Sequence, residues 1–496
     1  MEITSSNRVT TVTTKEDFVS VASDMEGEGR IPVELRTSVE DPYLAYQRAR
    51  NESEGIYYET TGGQSGWGYF GIEPAYWVTQ PNGEAGSFER LEKLLSNERL
   101  VRGDCDVPYP CGAFGWISYD VARELEDISD TTSDVRRLPR IQFGVYDMLA
   151  AWEEPRTGDR TELRLTCCPT VTQDDDPGSV YEAAHDRLLA FVREIYDGSE
   201  AIEQVESDGP VTFQTNADKT EYSERIKQVK QYIRDGDTFQ ANISQRISGP
   251  KAVHPARVFS ALREVNPAPY SALLEFPGVD LISTSPELLL ECDDRKLLTE
   301  PIAGTRPRGE TEEEEERLEE DLLSDEKEHA EHAMLVDLER NDLGKVSEFG
   351  SVDVTDYRRI DRYSEVMHTV SVVEGTRKPD KSIPDAIAAV FPGGTITGAP
   401  KPKTMDIIDD VETARRGPYT GSIGIIGFDE QATLNMTIRT LVQRNDTYYL
   451  RVGAGIVHDS QPVKEFHETL DKGRALINAI NTALDSDIEL KVDTES

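Results

Sequence analysis

Six segments in the second half of the chain set carboxylates beside glycine-rich turns. They read PIAGTRPRG (Pro301 to Gly309), EHAMLVDLERNDLGKV (Glu331 to Val346), Met367-His368, GGTITGAPK (Gly393 to Lys401), GPYTGSIG (Gly417 to Gly424) and GAGIVHDSQPVKEFHET (Gly453 to Thr469). This combination suits a small, doubly charged anion gripped next to a hard cation. In the last segment Glu465 and Glu468 are three apart, and Glu468 and Lys472 four apart, so all three share one helix face. Taken alone, that face is most simply a charged surface. Together with Glu331 on an earlier helix, it offers carboxylates for Mg2+, which takes oxygen ligands and leaves positions open for a substrate carboxylate. Zinc is not indicated, because no H-E-x-x-H and no Cys/His cluster occurs. The turn from Gly393 to Lys401 supplies small residues, two hydroxyls and a cation, and its glycines let backbone N–H groups approach an anion. Its spacing is neither that of a P-loop nor that of a dinucleotide fingerprint. A purely structural turn fits it as well, and the same holds for Gly453-Ala454-Gly455. Arg439, after a strand, suits either a substrate carboxylate or a neighbouring acid.

These residues need a scaffold. The first part, to about residue 196, reads as mixed strands and helices. Strands are expected at Ile56 to Tyr58, Phe114 to Tyr119 and Thr161 to Thr166, with a helix over Glu182 to Ile195. Residues 197–218, polar and acidic, read as a linker. The second part, 219–482, begins with an amphipathic helix (Lys219 to Arg234) closed by Gly236. Strands follow at Phe239 to Ile247, Leu281 to Ser283 and Leu288 to Cys292, the last two flanking a Ser285-Pro286-Glu287 turn. A helix is expected over Pro255 to Val265, one long acidic helical region over Glu312 to Leu343, and another helix over Pro384 to Val390. Strands are expected at Ser422 to Gly427, Thr433 to Arg439 and Thr447 to Val452, and a final helix from Pro462. Residues 483–496 read as an acidic tail. Irregular alternation of strands and helices predicts an α+β fold with a large, mostly antiparallel sheet system.

The 496 residues carry 94 Asp and Glu against 53 Lys and Arg, a formal charge of -41. So acidic a chain disfavours nucleic acid and anionic membranes as partners. The acid is spread along the sequence, and 37 % of residues are hydrophobic, which argues for a folded protein with an acidic surface. Such a surface suits a high-salt cytoplasm, where salt screens the self-repulsion. Five cysteines without a C-x-x-C pair predict neither a disulfide framework nor a zinc site. With no signal-like start and no membrane-length apolar run, a cytoplasmic location is expected.

The six ordered motifs resemble those of the catalytic subunits of anthranilate synthase and aminodeoxychorismate synthase. The resemblance runs from about Thr220 to Leu476, and continues through GIYYETTGGQSGWGYFGIEP and GAFGWISYD in the first part. It implies a two-part fold of orthogonally packed sheets flanked by helices, with the active site between them. It implies Mg2+ on Glu331 and Glu468, with Glu465 beside them, holding the ring carboxylate of chorismate. Glu287 matches the acid near the C4 hydroxyl, His368 the histidine near the departing group, and Lys472 the lysine after the acidic pair. Thr395, Tyr419, Arg439, Gly453 and Gly455 match residues around the enolpyruvyl group. By the same resemblance, Ala303, Gly304 and Thr305 of PIAGT, Gly398 of the glycine-threonine turn and Ala454 belong to the substrate site.

Gln240 stands where water-using relatives carry a basic Lys. Water needs a base to attack, whereas ammonia has its own lone pair, so Gln240 points to ammonia. No glutaminase motif occurs in this chain, so the resemblance implies a separate glutaminase subunit as the ammonia source. The product signals conflict. Ala303 replaces the Lys of PIKGT, as in anthranilate synthases. QANISQR, NPAPYSALL, DLERND and YTGSIG look more like the aminodeoxychorismate branch. The greater number of features favours amination at C4, giving 4-amino-4-deoxychorismate, with anthranilate and pyruvate as the alternative products. A catalytically dead, ligand-binding subunit is disfavoured by the full set of candidate residues. YYETT (Tyr57 to Thr61) departs from the LLES pattern of the tryptophan feedback site, and Ser271 replaces the usual Met, so tryptophan inhibition is not implied. The charge balance itself generates a prediction: the melting temperature rises between low and molar salt, and an unchanged value would refute adaptation to high salt.

Overall fold

Strands rich in alternating apolar residues assemble into two large sheets. The computed structural model describes residues 9–50, 53–61, 64–202, 212–362, 366–484 and 491–493. The first sheet has fourteen strands. Its central order is Gly66–Ile72, Gly55–Glu59, Tyr270–Phe276, Val279–Ser285, Thr440–Arg444, Thr447–Ile456 and Gln240–Pro250, with Gly398–Ala399 paired onto the last. The second sheet has ten strands. Its order includes Ile302–Pro307, Val366–Thr376, Lys296–Thr299, Leu288–Asp293, Gln431–Asn435, Ser422–Ile426 and Gly112–Ile117. Pairing is antiparallel throughout both sheets except where Thr212–Thr215 runs parallel to Lys491–Asp493. The protein is thus an α+β fold of mainly antiparallel sheets covered by helices.

The two halves of the sequence share both sheets. Gly55–Glu59 pairs with Tyr270–Phe276 in one, and Gly112–Ile117 pairs with Ser422–Ile426 in the other. Between the sheets lies a core that includes Phe114, Trp116, Tyr146, Leu149, Leu274 and Ile425. Helices Pro42–Arg50, Pro177–Asp197, Pro255–Val265 and Pro462–Ala483 cover the first sheet. Ser87–Ser96, Glu326–Val346 and Ile383–Val390 cover the second.

Several elements differ from the expectations. The acidic region from Glu312 to Leu343 is two helices, Glu312–Ser324 and Glu326–Val346. Asp325 between them is extended, and its Oδ1 accepts from Glu328 N at 3.2 Å, as a helix N-cap does. Tyr119 begins a 3-10 turn rather than ending a strand. Thr433 to Arg439 is not one strand: Gln431–Asn435 ends in the second sheet, Arg439 adopts φ 48°, and the chain re-enters the first sheet as Thr440–Arg444. Of the expected linker, 203–211 lies outside the described residues, while its end forms the strand Thr212–Thr215. Part of the expected tail, Lys491–Asp493, pairs with that strand.

Beneath the glycine-rich turns lies a buried carboxylate, Glu412. Its Oε1 accepts from Ser244 N and Oγ at 2.8 and 2.7 Å and from Arg416 Nη2 at 2.7 Å, while its Oε2 accepts from Arg451 Nη1 at 2.5 Å. Arg416 also donates to Asn242 O, Ile396 O and Thr420 Oγ1. Burial alone would push the Glu412 carboxyl up, but Arg416 and Arg451 outweigh it and hold it down at about 2. Its stabilising contribution is therefore full above the ordinary carboxylate range and is lost as pH falls towards 2. Glu412→Ala strands two buried guanidinium groups. It is expected to cost about 3–5 kcal/mol in denaturant unfolding at molar salt, and a loss below 1 kcal/mol would contradict this account.

Candidate active site

The chain crosses between the two sheets at two adjacent places, and the site forms there. Ser285-Pro286-Glu287 leads from Val279–Ser285 to Leu288–Asp293. Residues Met436 to Arg439 lead back from Gln431–Asn435 to Thr440–Arg444. The crossings are cross-linked: Met436 N donates to Glu287 O at 2.9 Å, Thr284 N to Arg439 O at 3.2 Å, and Ser285 Oγ to Met436 O at 2.5 Å. Glu287 is thereby fixed and buried at the seam. Its Oε1 accepts from Thr395 Oγ1 at 2.6 Å. Burial pushes its carboxyl up to about 7, with Thr395 and Arg439 pulling the other way. A carboxyl poised near neutrality is suited to giving up a proton.

His368, buried on Val366–Thr376, faces the PIAGT strand. Its Nδ1 lies 3.0 Å from Thr305 Oγ1 and 3.3 Å from Gly304 O. A register irregularity between Ala303 and Thr305, with Gly304 at φ 82°, turns this carbonyl towards the ring. Burial lowers the His368 pKa, and Arg439 adds to the effect. The ring is neutral at physiological pH. The Arg439 charge is felt by both Glu287 and His368 and lowers the proton affinity of each.

The glycine-threonine turn is stitched to the strand Gln240–Pro250. Phe239 N donates to Ala399 O at 2.8 Å and Asn242 N to Thr397 O at 2.9 Å. Gly398, at φ 132°, is required by close approach, since a Cβ there would fall 2.0 Å from Gln240 O. Gly453 is equally constrained: its Cβ would fall 2.5 Å from Asn242 Oδ1 and 2.6 Å from Tyr419 OH. Ala454 pairs with Ile243, and Gly455 with Asn242. The Gln240 carboxamide lies against Gly455, and its Oε1 is a buried acceptor without a hydrogen-bond partner. Tyr419 is buried with its hydroxyl 3.5 Å from Asn242 Oδ1.

Lys401 corrects one expectation. It is no free cation for an anion. Its Nζ is buried, 2.5 Å from Asp342 Oδ2, and donates to Val390 O at 2.6 Å. It pins the turn to the helix Glu326–Val346.

Glu465 and Glu468 stand on one face of Pro462–Ala483, and Lys472 Nζ bridges Glu468 (2.8 Å) and Gly453 O (3.2 Å). Burial and the nearby Glu468 charge raise the Glu465 pKa, a repulsion that a cation would relieve. Glu331 is carried by Glu326–Val346, which packs on the second sheet, whereas Glu468 belongs to a helix on the first. The all-carboxylate donor set fits a hard divalent cation. Among the described residues, no group of three or more His, Cys, Asp or Glu stands ready to hold a metal.

Asn242, Glu339 and the Glu412–Arg416 pair escaped the motif reading. A signal for Glu339 existed: it falls on the apolar stripe of its helix with Val336, Leu343 and Val346. Elsewhere a cavity of about 440 Å³ opens between the sheets, with Glu59, Thr60 and Ser271 in its wall. It is separate from the site. All five cysteines are buried and free, and no described helix is long and apolar enough to cross a membrane.

The chain is similar to known proteins over nearly its whole length. A protein of Haloarcula marismortui named anthranilate synthase component 1 is 60% identical over 97% of this chain and 99% of its own. Aminodeoxychorismate synthase component 1 of Bacillus subtilis is 43% identical over 74% of this chain and 77% of its own. The crystal structure of anthranilate synthase component I from Streptococcus pneumoniae superposes with a TM-score of 0.72 at 31% identity, covering 83% of this chain and 92% of that one. The chorismate binding enzyme model matches residues 53–478, and the chain belongs to that family.

Proposed function

We propose that this chain is the chorismate-aminating component of an anthranilate synthase, converting chorismate and ammonia to anthranilate and pyruvate. The sequence motifs leaned towards the aminodeoxychorismate branch. The relatives shift the balance, since the 60% identity to a protein named anthranilate synthase component 1 spans 97% of the chain, and this observation carries the reading. Ala303 agrees with it. The side chain beside Gly304 and His368 is a methyl, so no lysine is present there to attack the ring. The aminodeoxychorismate reading keeps the support of QANISQR and of the Bacillus relative.

Glu287 is the acid in this reading. Its proton passes to the ring hydroxyl as the C–O bond breaks, and water leaves. Neutral His368 is placed by Thr305 and Gly304 to face the departing group. Arg439 supplies the positive charge for the enolpyruvyl carboxylate, with Thr395, Tyr419 and the backbone at Gly453 and Gly455 shaping the remainder of the pocket. The unpartnered Gln240 Oε1 is an acceptor for ammonia's N–H, not a base. Glu331 and Glu468, with Glu465, would hold Mg2+, which when bound neutralises the ring carboxylate and withdraws electrons from the ring. Ammonia would come from a separate glutaminase, consistent with the "component 1" of the relatives' names.

Chorismate, ammonium and Mg2+ in molar salt are expected to yield fluorescent anthranilate and equimolar pyruvate. Accumulation of 4-amino-4-deoxychorismate with the enolpyruvyl group retained would overturn the assignment. Glu287→Gln is expected to lower kcat by about 10²–10⁴-fold with little change in KM. The wild-type rate should fall as pH rises above about 7, where Glu287 loses its proton. Glu468→Ala is expected to raise the Mg2+ concentration for half-maximal rate, and an unchanged Mg2+ dependence would remove Glu468 from the metal site.

A further inference from the structure

The helix Glu326–Val346 presents two stripes with different neighbours. On one, Glu328 lies against Gly304, where an added Cβ would fall 3.4 Å from its Oε2. Leu338 lies against Gly394, where a Cβ would fall 2.5 Å from its Cδ2. Asp342, one turn further, is ion-paired to Lys401. Glu331 follows Glu328 by one turn on this stripe. The helix therefore carries it, half-buried, between the PIAGT strand and the glycine-threonine turn. The other stripe, with Val336, Leu343 and Val346, packs into the core of the second sheet. It also holds a histidine. His332 is 1 % exposed, and its Nε2 lies 2.6 Å from Ser371 Oγ. Ser371 stands on Val366–Thr376, the strand of His368. Its N donates to Pro301 O at 3.2 Å, and its Oγ accepts from Arg358 N at 3.0 Å. One polar contact thus joins the helix of Glu331 to the strand of His368 and to the start of PIAGT. An apolar side chain would be the ordinary occupant of this stripe. His332 Nδ1 is buried without a hydrogen-bond partner, a penalty that packing alone does not explain.

We propose that His332 is a positioning residue for Glu331: its hydrogen bond to Ser371 fixes the rotation of the helix about its own axis, and so the place at which the Glu331 carboxylate meets a divalent cation. The inference rests on Glu331 being a metal carboxylate, as read above. Apolar packing holds a helix on a sheet but is non-directional, so it resists a small roll only weakly. A buried hydrogen bond sets both a distance and an angle. A roll of about 20° moves a side-chain tip about 6 Å from the helix axis sideways by about 2 Å. That displacement is as long as an Mg–oxygen bond, about 2 Å, and Mg2+ demands near-ideal octahedral geometry. His332 is next to Glu331 in the chain, so the bond to Ser371 acts where the carboxylate is carried. Neither His332 nor Ser371 has to ionise or to touch the cation.

The test is a titration with Mn2+, an oxygen-seeking stand-in for Mg2+, in molar KCl, with the free ion followed by electron paramagnetic resonance. Glu331→Gln defines the signal: the binding it removes belongs to the site, and the remainder to the acidic surface. His332→Leu keeps an apolar stripe and deletes the hydrogen bond. It is expected to weaken the Glu331-dependent Mn2+ binding about tenfold. Ser371→Ala deletes the same bond from the other side and is expected to match it, which keeps the test decisive if His332→Leu does not fold. The double variant should be no weaker than either single one. His332→Gln, which can still reach the Ser371 hydroxyl, should recover most of the affinity. A lowered melting temperature with Mn2+ affinity at the wild-type value would make the contact purely structural and overturn the proposal. Additive losses in the double variant would overturn it as well. Mn2+ binding unaffected by Glu331→Gln would instead remove the metal reading of Glu331 on which the inference stands.

Discussion

A single buried anion, Glu412, is the constraint on which the site's geometry depends. A carboxylate removed from water is tolerable only with its lone pairs matched and its charge answered. Ser244, Arg416 and Arg451 meet both conditions. Arg416 then spends its remaining donors on Asn242 O, Ile396 O and Thr420 Oγ1. One ion pair thus ties together the strand bearing Gln240, the glycine-threonine turn, the Tyr419 segment and the strand bearing Gly453. These segments carry most of the candidate site residues. Because both guanidinium groups are ion-paired to Glu412, these segments are held at a fixed spacing, which is a condition for preorganised electrostatics.

The second constraint is topological. A carboxyl near neutrality needs burial, and burial needs a place where backbone polar groups are otherwise satisfied. The two sheet-to-sheet crossings provide it by bonding to each other through Met436, Glu287, Thr284 and Arg439. Glu287 and Arg439 then stand at the seam on short, fixed tethers. The acidic surface does the opposite work at the periphery, where dense carboxylates remain solvated. The same residue type therefore carries two roles, distinguished only by access to water.

Much of the fold could be read from local pattern. Helices with strong caps, such as Lys219–Asp235 with Asp218 and Gly236, announce their ends in sequence. So do alternating strands and the turns rich in glycine. The break at Asp325 and the turn at Arg439 were missed because each follows from a local conformation that helix or strand periodicity masks. Lys401 was misread as an available cation because its partner, Asp342, lies 59 positions earlier in the chain, and no local rule joins them.

The sequence by itself determined which chemistry was within reach: an all-oxygen donor set, a carboxylate at the SPE turn, Gln240 rather than lysine, and Ala303 rather than a nucleophile. Residue type sets those properties before any folding. Only the tertiary structure decided which of those groups face one another, which carboxyls lose their water, and that Lys401 is taken by Asp342. Proton affinity and charge pairing depend on burial and on neighbours distant in sequence, and those come into being only when both sheets close on the seam.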